Sequence, residues 1–310
     1  MKPDKNPFLL IPLGAIRMLM SDSDPTKETS NLTQIYYLSI YTSAMKLNLT
    51  DKDAVMQYVY CGYREQASFT LALRSAWGRV ANTSGYDPHY RGMANGKLDF
   101  EDQGRYILTF CQKDAALMEE IRQWARVRQM LKYMQQDSLY ASTILDVVRS
   151  KQLIETYDKP PYAAIDSELM GNIWNRRYFL FDDEWVTLAM HLGICSKLGT
   201  KAFVATTKVE ILCRMFGCST QQELDEVLAA DPVLRERYDH YSSRRIYERI
   251  RRQAFDVYHL REVGLKRRSY VSYRYDNDRD FITAIAAKDS KLQEEKRKKE
   301  QKALIKELFA

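Results

Sequence analysis

Glycine and proline are scarce: the 310-residue chain holds 12 and 8 of them. An all-β chain needs many turn residues, so this scarcity favours a helical one. Cysteine is scarce as well. The five thiols, at Cys61, Cys111, Cys195, Cys213 and Cys218, are odd in number and share no repeated spacing, which excludes a disulfide framework. Cys213 and Cys218 stand wider apart than a CxxC knuckle, with no Cys–His group beside them, so they read as small apolar side chains in helices. Four histidines leave little for metal or acid–base work. No run approaches the ~20 apolar residues of a spanning helix. Lys2 and Lys5 precede an apolar run over 7–16, as in a signal segment, but Asp4, Pro12, Arg17 and the lack of an Ala-x-Ala site argue against cleavage. The expectation is a soluble, cytoplasmic protein with no membrane contact.

The 45% hydrophobic and 28% charged residues are those of a globular chain, long enough for about two domains at roughly 150 residues each. An apolar opening segment (9–21) and a polar loop around Pro25 precede a helical stretch over 32–47 carrying Tyr36, Tyr37, Ile40, Tyr41 and Met45. Thr50 and Asp53 form a capping-box variant before a helix through Val55, Val59 and Tyr63 towards Arg79. Five of the 12 glycines fall between Gly78 and Gly104 without phosphate-cradling order, which marks a long loop. Helical periodicity returns over 115–133 and 138–152, and Lys159, Pro160 and Pro161 break it.

The second half has clearer punctuation. Asp182, Asp183 and Glu184 precede an apolar helix over 185–198 ended by Gly199, and Thr206, Thr207 and Lys208 open a short helix closed by Gly217. Ser219 with Gln222 starts a third helix, and Asp231 with Pro232 starts a long one running to Val263 and stopped by Gly264. Residues 269–275 alternate with period two, and a turn at Asp276, Asn277 and Asp278 leads to Phe281, Ile282 and Ile285, so a β-hairpin is expected there. A charged helix follows over 288–308. The predicted fold is mainly α: an N-terminal helical domain (1–157, with its glycine-rich loop near 78–104), a C-terminal winged-helix-like domain (158–287) with one β-hairpin, and a charged C-terminal helix (288–310).

The formal charge of +6 is slight for this length, but it is not spread evenly. Residues 235–275 hold twelve basic side chains against five acidic ones, a net of +7, which leaves −1 for the rest. Nearly all the twelve are arginine, whose planar fork suits phosphates and guanine edges. Arg245, Arg249 and Arg252 fall at i, i+4 and i+7, with Arg244 and Arg251 beside them. Lys266, Arg267 and Arg268 sit at the mouth of the expected hairpin with Tyr270, Tyr273 and Arg274. A helical group followed by a β-hairpin with basic flanks has the layout of a winged helix-turn-helix. The bland alternative is arginines pairing with their own acids or with the Asp182–Glu184 cluster.

Residues 201–217, KAFVATTKVEILCRMFG, resemble the helix-turn-helix region of phage and plasmid replication or regulatory proteins, and the resemblance extends over 183–287. It implies a DNA-binding domain. One departure shifts the contact surface: the helix in the recognition position reads Gln221, Gln222, Glu223, Leu224, Asp225, Glu226, which phosphates repel. The main contact then falls on the arginine helix, the wing, Lys208 and Arg214, and favours backbone contacts over base readout.

Catalytic signals are thin. Asp256, His259 and Glu262 are spaced i, i+3, i+6 but read better as ion-pair partners than metal ligands; Asp99, Glu101 and Asp102 could bind a cation, and so could Asp182, Asp183 and Glu184, though these stand where a helix N-terminus favours negative charge. His259, Leu260 and Arg261 fall one residue short of the tyrosine-recombinase box, and no GxSxG, HExxH or Cys–His nucleophile pair occurs. The residues therefore lead to a non-enzymatic DNA-binding protein of a prokaryotic mobile element or phage, acting in replication, partition or regulation. No cofactor is implied, and self-association or a protein partner is assigned to the N-terminal half or the C-terminal helix. A helical adaptor protein is the competing reading, with a nuclease or recombinase behind it.

Overall fold

The structure, a computed structural model, describes residues 7–21, 25–65, 108, 115–136, 138–265 and 268–308. These are mainly helical with two small antiparallel sheets. In chain order, β1 (Phe8–Pro12) runs into a helical turn (Leu13–Ile16) and a 3-10 turn (Arg17–Leu19), followed by α1 (Pro25–Ala44) and α2 (Asp51–Glu65). Next come α3 (Ala115–Tyr133), α4 (Ala141–Ser150), a turn (Leu153–Tyr157), β2 (Tyr162–Asp166) and α5 (Ser167–Asn175). The remainder comprises α6 (Asp182–Leu198), β3 (Val204–Thr206), α7 (Lys208–Met215), α8 (Gln221–Ala230), α9 (Pro232–Ser242), α10 (Arg244–Val257), β4 (Arg261–Leu265), β5 (Arg268–Ser272) and α11 (Asp278–Leu308).

Strand β1 pairs with β2 in antiparallel register, Leu9 opposite Ile165 and Ile11 opposite Ala163, so the first strand is completed by chain beyond the proline break. The buried alternation along both strands explains why the first part of the apolar run, Phe8–Pro12, is extended: Leu9 and Ile11 enter the core while Phe8 faces out. One continuous apolar core holds side chains from both sides of that break, among them Tyr36, Trp124, Trp185, Phe216 and Ile250. Its axis is α6, buried along nearly its whole length because Trp185 to Leu198 is apolar all round. Gly193 lets α7 approach closely: a Cβ there would lie 3.0 Å from Arg214 Cβ and 3.1 Å from the Met215 amide nitrogen.

The second sheet has the order β3-β5-β4, all antiparallel, with Tyr270 of β5 opposite both Ala205 and Val263. Val271 points into the main core, whereas Tyr270, Val263 and Phe203 form a second small core closed by Phe281 and Ile285 of α11. Both faces of this sheet are therefore covered.

The long helix expected from Asp231 divides instead. Asp231 does cap α9, its carboxylate accepting from the amides of Val233 and Leu234. Ser243 then takes an extended conformation (φ −60°, ψ 140°) between α9 and α10. The Lys208 ammonium donates to the Ser242 carbonyl at 2.6 Å, supplying the partner that the end of α9 leaves open. Helix α10 stops at Tyr258, His259 turns through φ +52°, and Gly264 lies inside β4 rather than at a helix end. His259 and Glu262 are thereby off the helix, and the i, i+3, i+6 face with Asp256 does not exist.

The hairpin is displaced by one element. Strand β5 pairs with β4, which precedes it, and the segment after it is helix. Asn277 is the reason: its side-chain oxygen accepts from the Asp280 amide at 2.9 Å while its amide group donates to the Asp280 carboxylate at 2.8 Å, a helix start rather than a hairpin turn. Phe281 and Ile285 are buried and Ile282 is exposed, a helical period. The cap of α8 is Thr220 rather than Ser219. Pro25 begins α1 instead of lying in a loop. The glycine-rich loop near 78–104 lies outside the described residues.

Candidate nucleic-acid interface

Helix α10 is divided lengthwise by chemistry. Tyr247, Ile250 and Ala254, at i, i+3 and i+7, are buried against α6, and Arg245, Arg249 and Arg252, at i, i+4 and i+7, fall on the opposite side. A hydrophobic stripe this regular fixes the rotation of the helix, and that rotation exposes the arginines. Arg244, Arg245 and Arg252 are exposed and have no acidic partner among the described residues. A groove of about 1210 Å³ runs along this side, lined by Arg244, Arg245, Arg249 and Arg252, with Gln253 and the acids Glu248 and Asp256 among the rest.

The other expected contacts divide into free and committed side chains. Arg249 is exposed but donates to Asp183 at 3.0 Å. Arg251 is half-buried, bonded to Glu248 at 2.9 Å and to Glu262 of β4, and lies over the Phe255 ring. It joins α10 to the sheet. Lys208 is exposed, but the Ser242 carbonyl and the Tyr247 ring, 5.1 Å below its ammonium, hold it in place. Arg214 is half-buried where α7 crosses α6. Arg268 is exposed at the start of β5, and Arg274 is exposed, donating to the Thr200 carbonyl at 3.2 Å and lying against exposed Tyr273. Tyr270 is buried in the second core and offers no surface. Lys266 and Arg267 lie outside the described residues.

Part of the basic window is thus neutralised. Arg237, buried, reaches Asp182 at 2.7 Å, and the Tyr241 hydroxyl donates to the same carboxylate at 2.6 Å. Burial pushes the Asp182 carboxyl up, but the Tyr241 hydrogen bond and the Arg237 charge outweigh it and hold it below the usual carboxylate range. Arg261 pairs with Asp278 at 3.2 Å. Helix α8 presents Asp225 and Glu226 to solvent, each accepting from a glutamine one turn earlier. Helix α8 is thus acidic on its outer face.

No protein-family model, curated protein or solved structure matches this chain.

Sequence reasoning passed over the residues just before α6. Arg176 and Arg177 are followed by Tyr178, Phe179 and Phe181, which are 68%, 75% and 77% exposed. The signal is in the run RRYFLF, basic and aromatic residues interleaved without a helical or strand period. No group of three or more potential metal ligands occurs among the described residues, and none of their helices is long and apolar enough to cross a membrane.

Proposed function

We propose that this protein binds DNA without chemistry of its own, through the exposed arginine side of α10 together with the β4–β5 ribbon, in the manner of a winged-helix domain of a prokaryotic mobile element or phage. The observation carrying the reading is the set Arg244, Arg245 and Arg252: exposed, unpaired with acids among the described residues, and aligned by the buried stripe of the same helix. Helix, strand, helix, helix and a terminal ribbon in a β3-β5-β4 sheet support the architecture, with α9 and α10 inserted before the ribbon. The acidic α8 moves the DNA contact from the usual recognition helix to α10, and phosphate contacts dominate.

The test is duplex binding by the full chain with Arg244, Arg245 and Arg252 changed together to Ala. Affinity at moderate salt is expected to fall more than about tenfold, and the slope of log affinity against log salt to flatten by about 3, close to one unit per lost phosphate contact. Unchanged retention in a gel shift overturns the reading. The adaptor reading is favoured by a different feature, the mixed-charge surface of α11 with its Lys296–Glu300 and Lys298–Glu294 pairs. It expects no duplex binding at physiological salt and a discrete protein complex.

A further inference from the structure

The turn between α5 and α6 is built as a stack. The Trp174 ring lies on buried Tyr36 with centroids 5.0 Å apart and planes at 26°. On the Trp174 ring sits the Arg177 guanidinium, 4.0 Å from its centroid, and that guanidinium also lies 4.4 Å from the ring centre of Tyr178. Arg177 is fixed further by donating to the Trp174 carbonyl at 2.9 Å and the Tyr178 hydroxyl at 3.1 Å. A ladder of flat groups therefore runs from the core outward to exposed Tyr178, and Phe179 and Phe181, which follow it in the chain, are exposed as well. Three such aromatics within four residues are unusual on a free surface and mark a contact.

Their surroundings select the occupant. Arg177 brings a cation to the turn from within the stack, and the acids that follow are each answered: Asp182 by Arg237, Asp183 by Arg249, Glu184 by Arg176 at 3.6 Å. A cleft of about 210 Å³ beside the turn, lined by Arg176, Leu180, Asp183, Glu184 and Tyr258 among others, also includes Gln253, which lines the arginine groove as well. Tyr178, Phe179 and Phe181 do not line that cleft; the turn meets the arginine side of α10 two residues after Phe181, at Asp183, which accepts from Arg249 at 3.0 Å. Flat rings beside a cationic track are the two components of a surface for unpaired nucleobases: the rings take the bases and the arginines take the phosphates.

We infer that the Arg176–Phe181 turn is a stacking platform for single-stranded nucleic acid, adjoining the arginine face of α10. The inference rests on the DNA-binding reading and adds to it a strand preference: a duplex meets only the arginines, and an unpaired strand meets both surfaces. A second copy of the chain, or another protein, is the rival occupant of the patch.

The test compares a labelled oligo-dT of about 20 nucleotides with a duplex of about 20 base pairs, by fluorescence anisotropy on the full chain. Tyr178, Phe179 and Phe181 changed together to Ala should weaken oligo-dT binding at least about tenfold and duplex binding less than about twofold. Phe179→Tyr with Phe181→Tyr should restore oligo-dT binding, since the rings remain, and this variant separates stacking from a damaged fold. The Arg244, Arg245 and Arg252 triple variant should weaken both. Oligo-dT binding that survives the aromatic changes, equal losses on both ligands, or duplex binding with none to oligo-dT each overturn the platform while leaving the DNA-binding reading in place. Binding to neither ligand by the unaltered chain overturns the reading beneath it. An aromatic variant that changes only the mass of the protein in light scattering assigns the patch to a second copy and also overturns the platform.

Discussion

Two glycines at positive φ separate what a turn demands from what packing demands. Gly199 ends α6 at φ +50° with nothing within 4 Å of a Cβ, and Gly217 follows α7 at φ +74° with a Cβ position 3.0 Å from the Leu13 carbonyl oxygen and 3.1 Å from that of Gly14. Gly199→Ala should cost about 1 kcal/mol for backbone conformation alone. Gly217→Ala adds a clash with backbone that has nowhere to move, so a loss of about 3 kcal/mol is expected in urea denaturation. Equal losses would remove the role assigned to Gly217, which is to seat the turn after α7 against the Leu13–Ile16 helical turn. Both glycines are readable in the sequence as helix stops; that one of them touches a segment some 200 positions away is not, because a turn signal is local and the contact is not.

At the scale of elements, the ribbon and the helix after it show where local pattern misleads. The residues from Ser269 to Tyr275 alternate, and both an upstream and a downstream partner satisfy that alternation. The choice falls to β4 because α11 is needed to cover the sheet: Phe281 and Ile285 close the second core, with the Tyr275 and Phe281 rings stacked 5.0 Å apart. Asn277 is then a helix cap and not the tip of a hairpin. Asn277→Ala should lower stability by about 1 kcal/mol, the usual worth of such a cap. Asp276→Ala should change it by less than about 0.5 kcal/mol. A turn role would make the two variants alike. The break at Ser243 has the same origin. Nothing between Asp231 and Val257 forbids a continuous helix in the sequence, but two shorter helices let Tyr241 reach Asp182 and Tyr247, Ile250 and Ala254 reach the core.

For the whole molecule, the buried axis α6 carries a titratable load. His191 is stacked on Tyr258 with centroids 4.0 Å apart, its Nε2 is 3.6 Å from Cys195 Sγ, and burial holds its pKa down to about 3. The unfolded chain takes up that proton first, near pH 6.5, so stability is complete above that pH and is lost as pH falls from there towards 3. Between pH 7 and 5, where most carboxylates remain ionised, a loss on the order of 2 kcal/mol is expected, and His191→Phe should flatten it while keeping the ring stack. A wild-type curve level over that range would contradict the burial of a neutral ring. The same axis ties the halves of the chain together, since β1 and the turns after it pack on elements from beyond the proline break. What the sequence determined by itself was local: helix-rich composition, most helix starts and stops, and the concentration of charge between residues 235 and 275. Those follow from propensity, capping and counting, which need no distant partner. Tertiary structure decided which arginines are spent on Asp182, Asp183, Glu248, Glu262 and Asp278 and which face solvent, because pairing depends on contacts between elements far apart in the chain. It also decided that Tyr270 is core and that Tyr178, Phe179 and Phe181 are surface, a difference that burial makes and residue type does not.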